Sequence, residues 1–464
     1  MKENTFDMIV IGAGPGGYVA AIRGAQLGLN VAIIEREHMG GICLNWGCIP
    51  TKAMLRSAEI FHLLKNSKDF GIEAKNIKYD LEAIVSRSKG IGSKLSKGIT
   101  HLLKKNKITS ILGEARLTAV GQVKVKTNDK EVELFSRNIV LATGARARDL
   151  KGFEADGKNI WTYKDALRPK RIPKKLLVIG SGAIGVEFAS FYNTLGVETT
   201  ILEVMDTILP VEDREISNFA KKQFEKQGIN ILENSKALAF NRKNNSFSVK
   251  IDTLGKVSSL DCDTIISAVG IVGNIEGLGL EGLRVEIEDS HVLVDDFCKT
   301  NIEGLFAIGD LAGAPWLAHK ASHEGIMVAE LIAGGSPHPI DYKGIAGCTY
   351  CFPQVASVGV TEEQAKENGL ETKIGRFPFA ANGKALALGE QEGIIKTIFD
   401  VKSGELLGAH MVGPEVTELI QGYVIGRKLE TTEEDLINTI FPHPTLGESM
   451  HESVLNAFGR AIHI

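Results

Sequence analysis

The chain has 464 residues, enough for about three domains at the usual ~150 residues each, and 44% hydrophobic residues to build their cores. A formal net charge of −4 argues against nucleic acid or an anionic membrane surface as partner, and no run approaches the ~20 apolar residues of a membrane span. There are six cysteines, and the first strand begins too close to Met1 for a signal peptide, so we expect a cytoplasmic, reducing setting in which any disulfide is catalytic.

The first element is an apolar strand, FDMIVIG from Phe6 to Gly12, running into a glycine turn. Gly12, Gly14 and Gly17 stand in the GxGxxG pattern. Gly12 allows the tight turn, Gly14 lets a pyrophosphate approach the backbone, and Gly17 lets the next helix lie close to the strand. That helix N-terminus supplies free N–H groups and positive potential for phosphate. Val31 to Ile34 reads as the next strand, and Glu35 at its end is placed to accept a ribose hydroxyl.

Glu35 to Lys52 reads EREHMGGICLNWGCIPTK, with Cys43 and Cys48 separated by four residues. A chain starting into a helical turn brings two such Cβ atoms within disulfide reach. The ring is small, so the bond constrains the unfolded chain little and reads as a redox switch rather than a staple. The spacing by itself also allows two unrelated buried thiols. GGICLNWGCIPTK resembles the redox-active segment of the pyridine nucleotide-disulfide oxidoreductases, and among them the members that oxidise dihydrolipoyl groups. The resemblance covers nearly the whole chain. It implies an α/β fold with two Rossmann-like dinucleotide-binding domains plus a C-terminal α+β dimerisation domain. Residues 1–147 would be the FAD-binding domain, 148–272 the NAD-binding domain, 273–344 a central part completing the FAD-binding domain, and 345–464 the interface domain. Cys43 would face the dithiol and Cys48 the flavin.

Ala53 to Leu64 and Asp80 to Lys104 have helical periodicity, with a polar connection over Lys65 to Tyr79. Ile108 to Ala115 reads as a strand, and Gln122 to Lys126 pairs through a turn with Glu131 to Phe135. Asn138 to Gly144 is an apolar strand ending in Thr143-Gly144, a pair the resemblance places beside the flavin. Asp149 to Lys175 reads as a polar connector. The glycine pattern then recurs as Gly180, Gly182 and Gly185, followed by a strand from Thr199 to Leu202 and an acid, Glu203. Two such units imply two dinucleotides, which the resemblance assigns as FAD in the first and NAD in the second. Glu203 favours NAD over NADP because a carboxylate repels a 2′-phosphate, and Val204, Met205 and Asp206 bring no cation. By resemblance, Lys52 and Glu187 form an ion pair near the flavin.

Asp263 to Gly270 closes the second unit. Many members of the family carry an arginine after the position of Gly270; this chain reads IVGN, which leaves the nicotinamide contacts open. Thr300 to Leu311 reads as a strand ending in Gly309-Asp310. Spacing alone makes Asp310 a helix N-cap; the resemblance makes it the holder of the ribityl hydroxyls, and puts Ala318, in LAHKA, on the helix that meets the flavin edge. His319 and His323 have i,i+4 spacing but no evident third ligand, so no metal is expected. Cys348 and Cys351 form a CxxC at a strand start and read as two small residues on an interface strand, ahead of a second redox pair or half a zinc site.

Past Ile345 the pattern becomes strand-like at Val355 to Val360, Thr372 to Pro378, Gly393 to Asp400 and Leu406 to Val412. Glu362 to Asn368, Val416 to Arg427 and Thr432 to Leu436 read as helices. This suits a dimerisation domain, with an unpartnered two-layer domain as the alternative. In the tail, Pro442 and Pro444 stiffen the backbone around His443, and Glu448 can fix its tautomer. Without the other motifs this would be a surface histidine in a turn. It resembles the family's HPTxxE signature, with Gly447 a small departure, and His443 is then the acid–base for the dithiol. His451 is a rival without the proline frame. The implied substrates are lipoyl domains of acyltransferase subunits or a glycine-cleavage carrier protein, and the implied assembly is a homodimer. A glutathione or trypanothione reductase would use NADP, against Glu203. A mercuric reductase would carry a further cysteine pair near its C-terminus, and no cysteine follows Cys351. A non-enzymatic flavin-bearing subunit would leave Cys43, Cys48 and His443 without a reason to occur together.

Overall fold

Met8–Ile11 consists of four buried apolar residues, the pattern of a strand covered on both faces. It lies at the centre of a parallel sheet in the order Leu305–Ala307, Ile139–Leu141, Met8–Ile11, Val31–Glu35, Thr109–Leu112. Its alternating side chains feed two cores: Met8 and Val10 on one face, Ile9 and Ile11 on the other. The computed structural model describes residues 4–243 and 246–464.

Helix α1 (Pro15–Gln26) starts on the glycine turn, with Pro15 in its first turn where no intrahelical N–H bond is lost. It packs along the helix Ala318–Ile332, and Gly325 permits this approach because a Cβ there would come 2.5 Å from the carbonyl oxygen of Gly16. Helices α2 (Gly41–Asn45) and α3 (Cys48–Lys65) carry the two cysteines, and α4 (Leu81–Lys105) covers them.

The chain divides into two compact units. One comprises the residues up to Ala53, Val85–Arg148 and Gly270–Tyr342; the other comprises Met54–Ile84, Asp149–Val269 and Lys343–Ile464. The second unit holds a parallel sheet in the order Ile160–Trp161, Thr264–Ser267, Lys175–Ile179, Glu198–Leu202, Asn230–Leu232. It also holds an antiparallel sheet in the order Gly347–Thr349, Gln354–Gly359, Leu406–Gly413, Ile394–Asp400, Thr372–Pro378. The helices Glu362–Glu367, Val416–Lys428 and Glu433–Asn438 stand where periodicity puts them.

Several elements differ from expectation. Ile108 to Ala115 is not one strand: Thr109–Leu112 joins the parallel sheet and Glu114–Ala119 a separate sheet. Gly113 makes the break, since a Cβ there would lie 2.7 Å from the Lys126 carbonyl oxygen. Helix α3 begins at Cys48 rather than Ala53, because Pro50 falls in the first turn, where a missing N–H costs nothing. The stretch read as a polar connector contains the strand Ile160–Trp161 and the short helix Tyr163–Ala166, closed by a Thr162–Asp165 capping box. The antiparallel ribbon Ser235–Lys243, Ser246–Thr253, Lys256–Cys262 is absent from the expected elements, although its middle strand alternates, with Phe247, Val249 and Ile251 buried. Asp310 sits in a 3-10 turn, Gly309–Ala312, not at a helix N-cap, and the strand before it is only Leu305–Ala307.

Candidate active site

The two glycine turns are built alike. Gly12 and Gly180 have φ of +101° and +100°, which side chains rarely adopt. Gly17 and Gly185 approach the carbonyl oxygens of Gly12 and Gly180 so closely that neither could carry a Cβ. Around Gly14 and Gly182, by contrast, an added Cβ would meet nothing within 4 Å. That open backbone beside an uncapped helix N-terminus is a cradle into which a pyrophosphate fits. The strand-end acids tie each turn together. Glu35 accepts the N–H of Ala13 at 2.8 Å and of Glu37 at 2.8 Å. Glu203 accepts the N–H of Ser181 at 2.9 Å, its hydroxyl at 2.5 Å, and the N–H of Met205 at 2.8 Å. Carboxylate oxygens have about four lone-pair sites in all, so each acid keeps capacity for a ribose hydroxyl.

The cysteine segment lies directly on the first turn. Gly40 donates its N–H to the Ala13 carbonyl at 2.8 Å, and a Cβ on Gly41 would come 2.7 Å from Cα of Gly14. Cys43 sits mid-way along α2 and Cys48 heads α3. Both are half-buried, with Cys48 hydrogen-bonded to Cys43. That bond raises the Cys43 pKa most; burial and the Cys48 charge add to it, and Lys52, one helical turn along, pulls the other way. Thr51 donates to the Gly47 carbonyl at 2.8 Å and Asn45 to that of Gly41 at 2.9 Å, so both cysteine helices are held from inside the segment.

The turn bearing Asp310 is clamped by residues that the sequence reading passed over. Lys320, buried, donates to the carbonyls of Gly309 at 3.0 Å and Gly313 at 2.9 Å. Glu324, also buried, accepts the Gly309 N–H at 2.7 Å and the Tyr342 hydroxyl at 2.8 Å, and pairs with Lys320 at 3.2 Å. The i,i+4 Lys–Glu spacing in an apolar helix was the available signal. Burial pushes the Asp310 carboxyl up, and Lys320 moderates this. Ala318 opens its helix after Leu317, which supplies no side-chain cap, so the first N–H groups are available to a ligand.

Thr143 and Asn274 lock together. Thr143 donates its hydroxyl to the Asn274 carbonyl at 2.8 Å, and the Asn274 side chain donates to the Thr143 carbonyl at 2.9 Å. Gly144, with φ of +67°, leaves open space where a Cβ would sit. The IVGN departure thus has a structural use: Ile271–Gly273 pairs with Ala145–Ala147, and Arg146 from that partner strand bonds Gly273, Asn274 and Glu276. Gly270 has φ of +104°.

In the second unit, His443 is exposed and its Nδ1 lies 2.9 Å from Oε1 of Glu448. The other Glu448 oxygen accepts the Thr445 N–H at 2.9 Å. Burial raises the Glu448 pKa, but Thr445 and His443 outweigh it and hold it below the usual carboxylate range. His451 is engaged elsewhere, with Nε2 3.0 Å from the Ile437 carbonyl and its ring stacked on Phe441. Glu187 is buried and accepts the Tyr350 N–H at 2.9 Å; it lies in the second unit and Lys52 in the first. Among the described residues, no group of three or more His, Cys, Asp or Glu is placed to hold a metal, and no helix is long and apolar enough to cross a membrane. Cys348 lies in the strand Gly347–Thr349 and is not joined to the buried Cys351.

Residues 6–325 match the pyridine nucleotide-disulphide oxidoreductase family, and residues 345–454 match the dimerisation domain of the same family. The chain belongs to the pyridine nucleotide-disulphide oxidoreductases. Within that family it is 54% identical to the dihydrolipoyl dehydrogenase of Rhizobium etli, over 99% of each chain. It is 52% identical to that of Zymomonas mobilis, again over 99% of each. Among solved structures, LpdA from Mycobacterium tuberculosis superimposes with a TM-score of 0.90 at 26% identity, covering 96% of this chain and 98% of that one. These likenesses give the oxidoreductase fold as α/β with paired dinucleotide-binding modules, the class expected from the two glycine units.

Proposed function

We propose that this oxidoreductase is a dihydrolipoyl dehydrogenase, which oxidises dihydrolipoyl groups to the lipoyl disulfide with FAD in the first glycine unit and NAD in the second. The observation that carries the reading is the Cys43–Cys48 thiol pair seated on the Gly12–Gly17 turn. The first cradle would hold FAD through Gly12, Gly14, Gly17, Glu35, Thr143, Gly144, Asp310 and the Ala318 helix end. The second would hold NAD through Gly180, Gly182, Gly185, Glu203 and Gly270.

The chemistry of the chain's own groups follows. With Cys43 and Cys48 as a disulfide, His443, its tautomer held by Glu448, takes the proton from one substrate thiol. The thiolate attacks Sγ of Cys43; the Cys43–Cys48 bond breaks and Cys48 leaves as a thiolate at the α3 N-terminus, where negative charge is favoured. The second substrate thiol displaces Cys43, which closes the lipoyl disulfide and leaves both cysteines reduced. FAD, when bound, supplies the two-electron route by which the dithiol returns to a disulfide and NAD is reduced.

The substrates we propose are lipoyl domains of acyltransferase subunits or of a glycine-cleavage carrier, met in the cytoplasm by a homodimer formed through residues 345–454. The test is steady-state oxidation of dihydrolipoamide by the purified yellow protein, with NAD and NADP in turn. A robust NAD-linked rate supports the reading; turnover only with glutathione disulfide or Hg(II), or only with NADP, ends it.

A further inference from the structure

Helix α4 has 25 residues and buries one narrow stripe: Ser88, Gly92, Ile99 and Leu103. That stripe packs on the redox segment. Ser88 donates to the Pro50 carbonyl at 2.9 Å and Ser96 to that of Met39 at 2.6 Å. Gly92 lies so close to the Leu44 carbonyl that it admits no Cβ, and Arg87 donates to the Ala53 carbonyl at 2.8 Å. The inner face of α4 is therefore the outer wall of the segment that carries Cys43 and Cys48.

The opposite face is basic over the C-terminal half of the helix. Lys94, Lys97, His101 and Lys104 follow steps of three, four and three residues, and all are exposed. At about 100° per residue they centre roughly 180° from the buried stripe. The helix contains a single acid, Glu82, in its first turn. None of Lys94, Lys97, His101 or Lys104 has an ionic partner among the described residues. A solvated helix face ordinarily interleaves both signs, which adds i,i+4 pairs. Here like charges repeat at that spacing, at a cost to the helix, in a chain whose net charge is −4.

We propose that this stripe is the docking face for an acidic, lipoyl-bearing carrier domain, and that it steers the tethered dithiol to the redox segment behind it. The inference rests on the dihydrolipoyl reading above. A free, uncharged dithiol gains nothing from the stripe, whereas a carrier with an acidic surface is attracted over about a Debye length, ~8 Å at physiological salt. The stripe carries no Phe, Tyr or Trp to stack a nucleobase. Its place over the cysteine segment argues for the protein that brings the substrate.

The experiment compares holoenzyme with a Lys94→Glu/Lys97→Glu/Lys104→Glu variant on two substrates: free dihydrolipoamide and an acidic carrier domain bearing a dihydrolipoyl group. These side chains are exposed and uninvolved in the core, so folding and flavin content should be unchanged. On the carrier, kcat/KM should fall about 10-fold or more at low salt, and raising salt should slow the wild type toward the variant. On dihydrolipoamide the two should be equal. A Lys94→Arg/Lys97→Arg/Lys104→Arg variant should keep the carrier rate. Unchanged kcat/KM on the carrier, or an equal loss on both substrates, overturns the proposal. So does stripe-dependent binding of duplex DNA or anionic vesicles with carrier kinetics unmoved. A wild-type protein that cannot oxidise free dihydrolipoamide would instead defeat the functional reading, and the docking surface would fall with it.

Discussion

Glu203 shows how one side chain can serve two ends. Its oxygens accept from Ser181 and Met205, which closes the second glycine turn, and in the proposed function the same carboxylate would repel a 2′-phosphate. Glu203→Ala combined with Met205→Arg should move the NADP/NAD ratio of kcat/KM upward by about 10-fold or more, with lower affinity for both nucleotides because the turn is loosened. An unmoved ratio would mean that another residue selects the nucleotide. His443 is positioned by Glu448 rather than by burial, so its loss should leave the fold alone. His443→Gln should lower dihydrolipoamide oxidation by about 10²–10⁴-fold while NADH oxidation by an artificial acceptor persists. Loss of both activities together would point to a damaged cofactor site. The depressed Glu448 pKa means that its stabilising contribution is present above the unfolded carboxylate value and fades as pH falls through the folded one.

At the scale of elements, the strand Ile394–Asp400 is pinned to the helix Arg214–Lys226 by charge. Lys396, buried on that strand, lies 2.8 Å and 3.0 Å from the two oxygens of the buried N-cap Asp213, and also pairs with Glu362 and Glu215. Burial works against both charges, yet their pairing wins: the Asp213 pKa is lowered and the Lys396 pKa raised. Stability from Asp213 is thus present above the unfolded carboxylate pKa and lost as pH falls through its lower folded value. Stability from Lys396 is present below the unfolded lysine pKa and lost as pH rises through its higher folded value. Lys396→Met leaves a buried acid unpaired, and we expect a loss of about 3–5 kcal/mol in denaturant unfolding. The deficit should shrink in acid, where Asp213 is neutral; a pH-independent deficit would assign the effect to packing.

At the scale of the molecule, Cys43 and Cys48 belong to one compact unit and His443 to the other, and residues 345–454 match a dimerisation domain. We therefore propose that, in a homodimer, the partner subunit supplies His443 to each cysteine pair. Mixing inactive Cys48→Ser protein with inactive His443→Gln protein under subunit exchange should restore up to about half of wild-type activity, since both lesions can fall in one site. No recovery despite demonstrated exchange would show that each chain completes its own site.

The chemistry of this protein was legible in local sequence because it depends on near neighbours. A tight turn must have glycine at 12 and 180, an acid must end the following strand, and two thiols must stand a few residues apart, so each leaves its mark within about twenty residues. What the tertiary structure decided involves partners far apart in the chain, which no local pattern encodes. Lys396 meets Asp213, Asn274 meets Thr143, and Tyr342 completes the Lys320–Glu324 clamp under Asp310. The break at Gly113 is of the same kind, because the obstacle is the backbone of Lys126. Burial supplies the reason: a polar group withdrawn from water must find a partner wherever the fold brings one, and only the fold determines which residue that is.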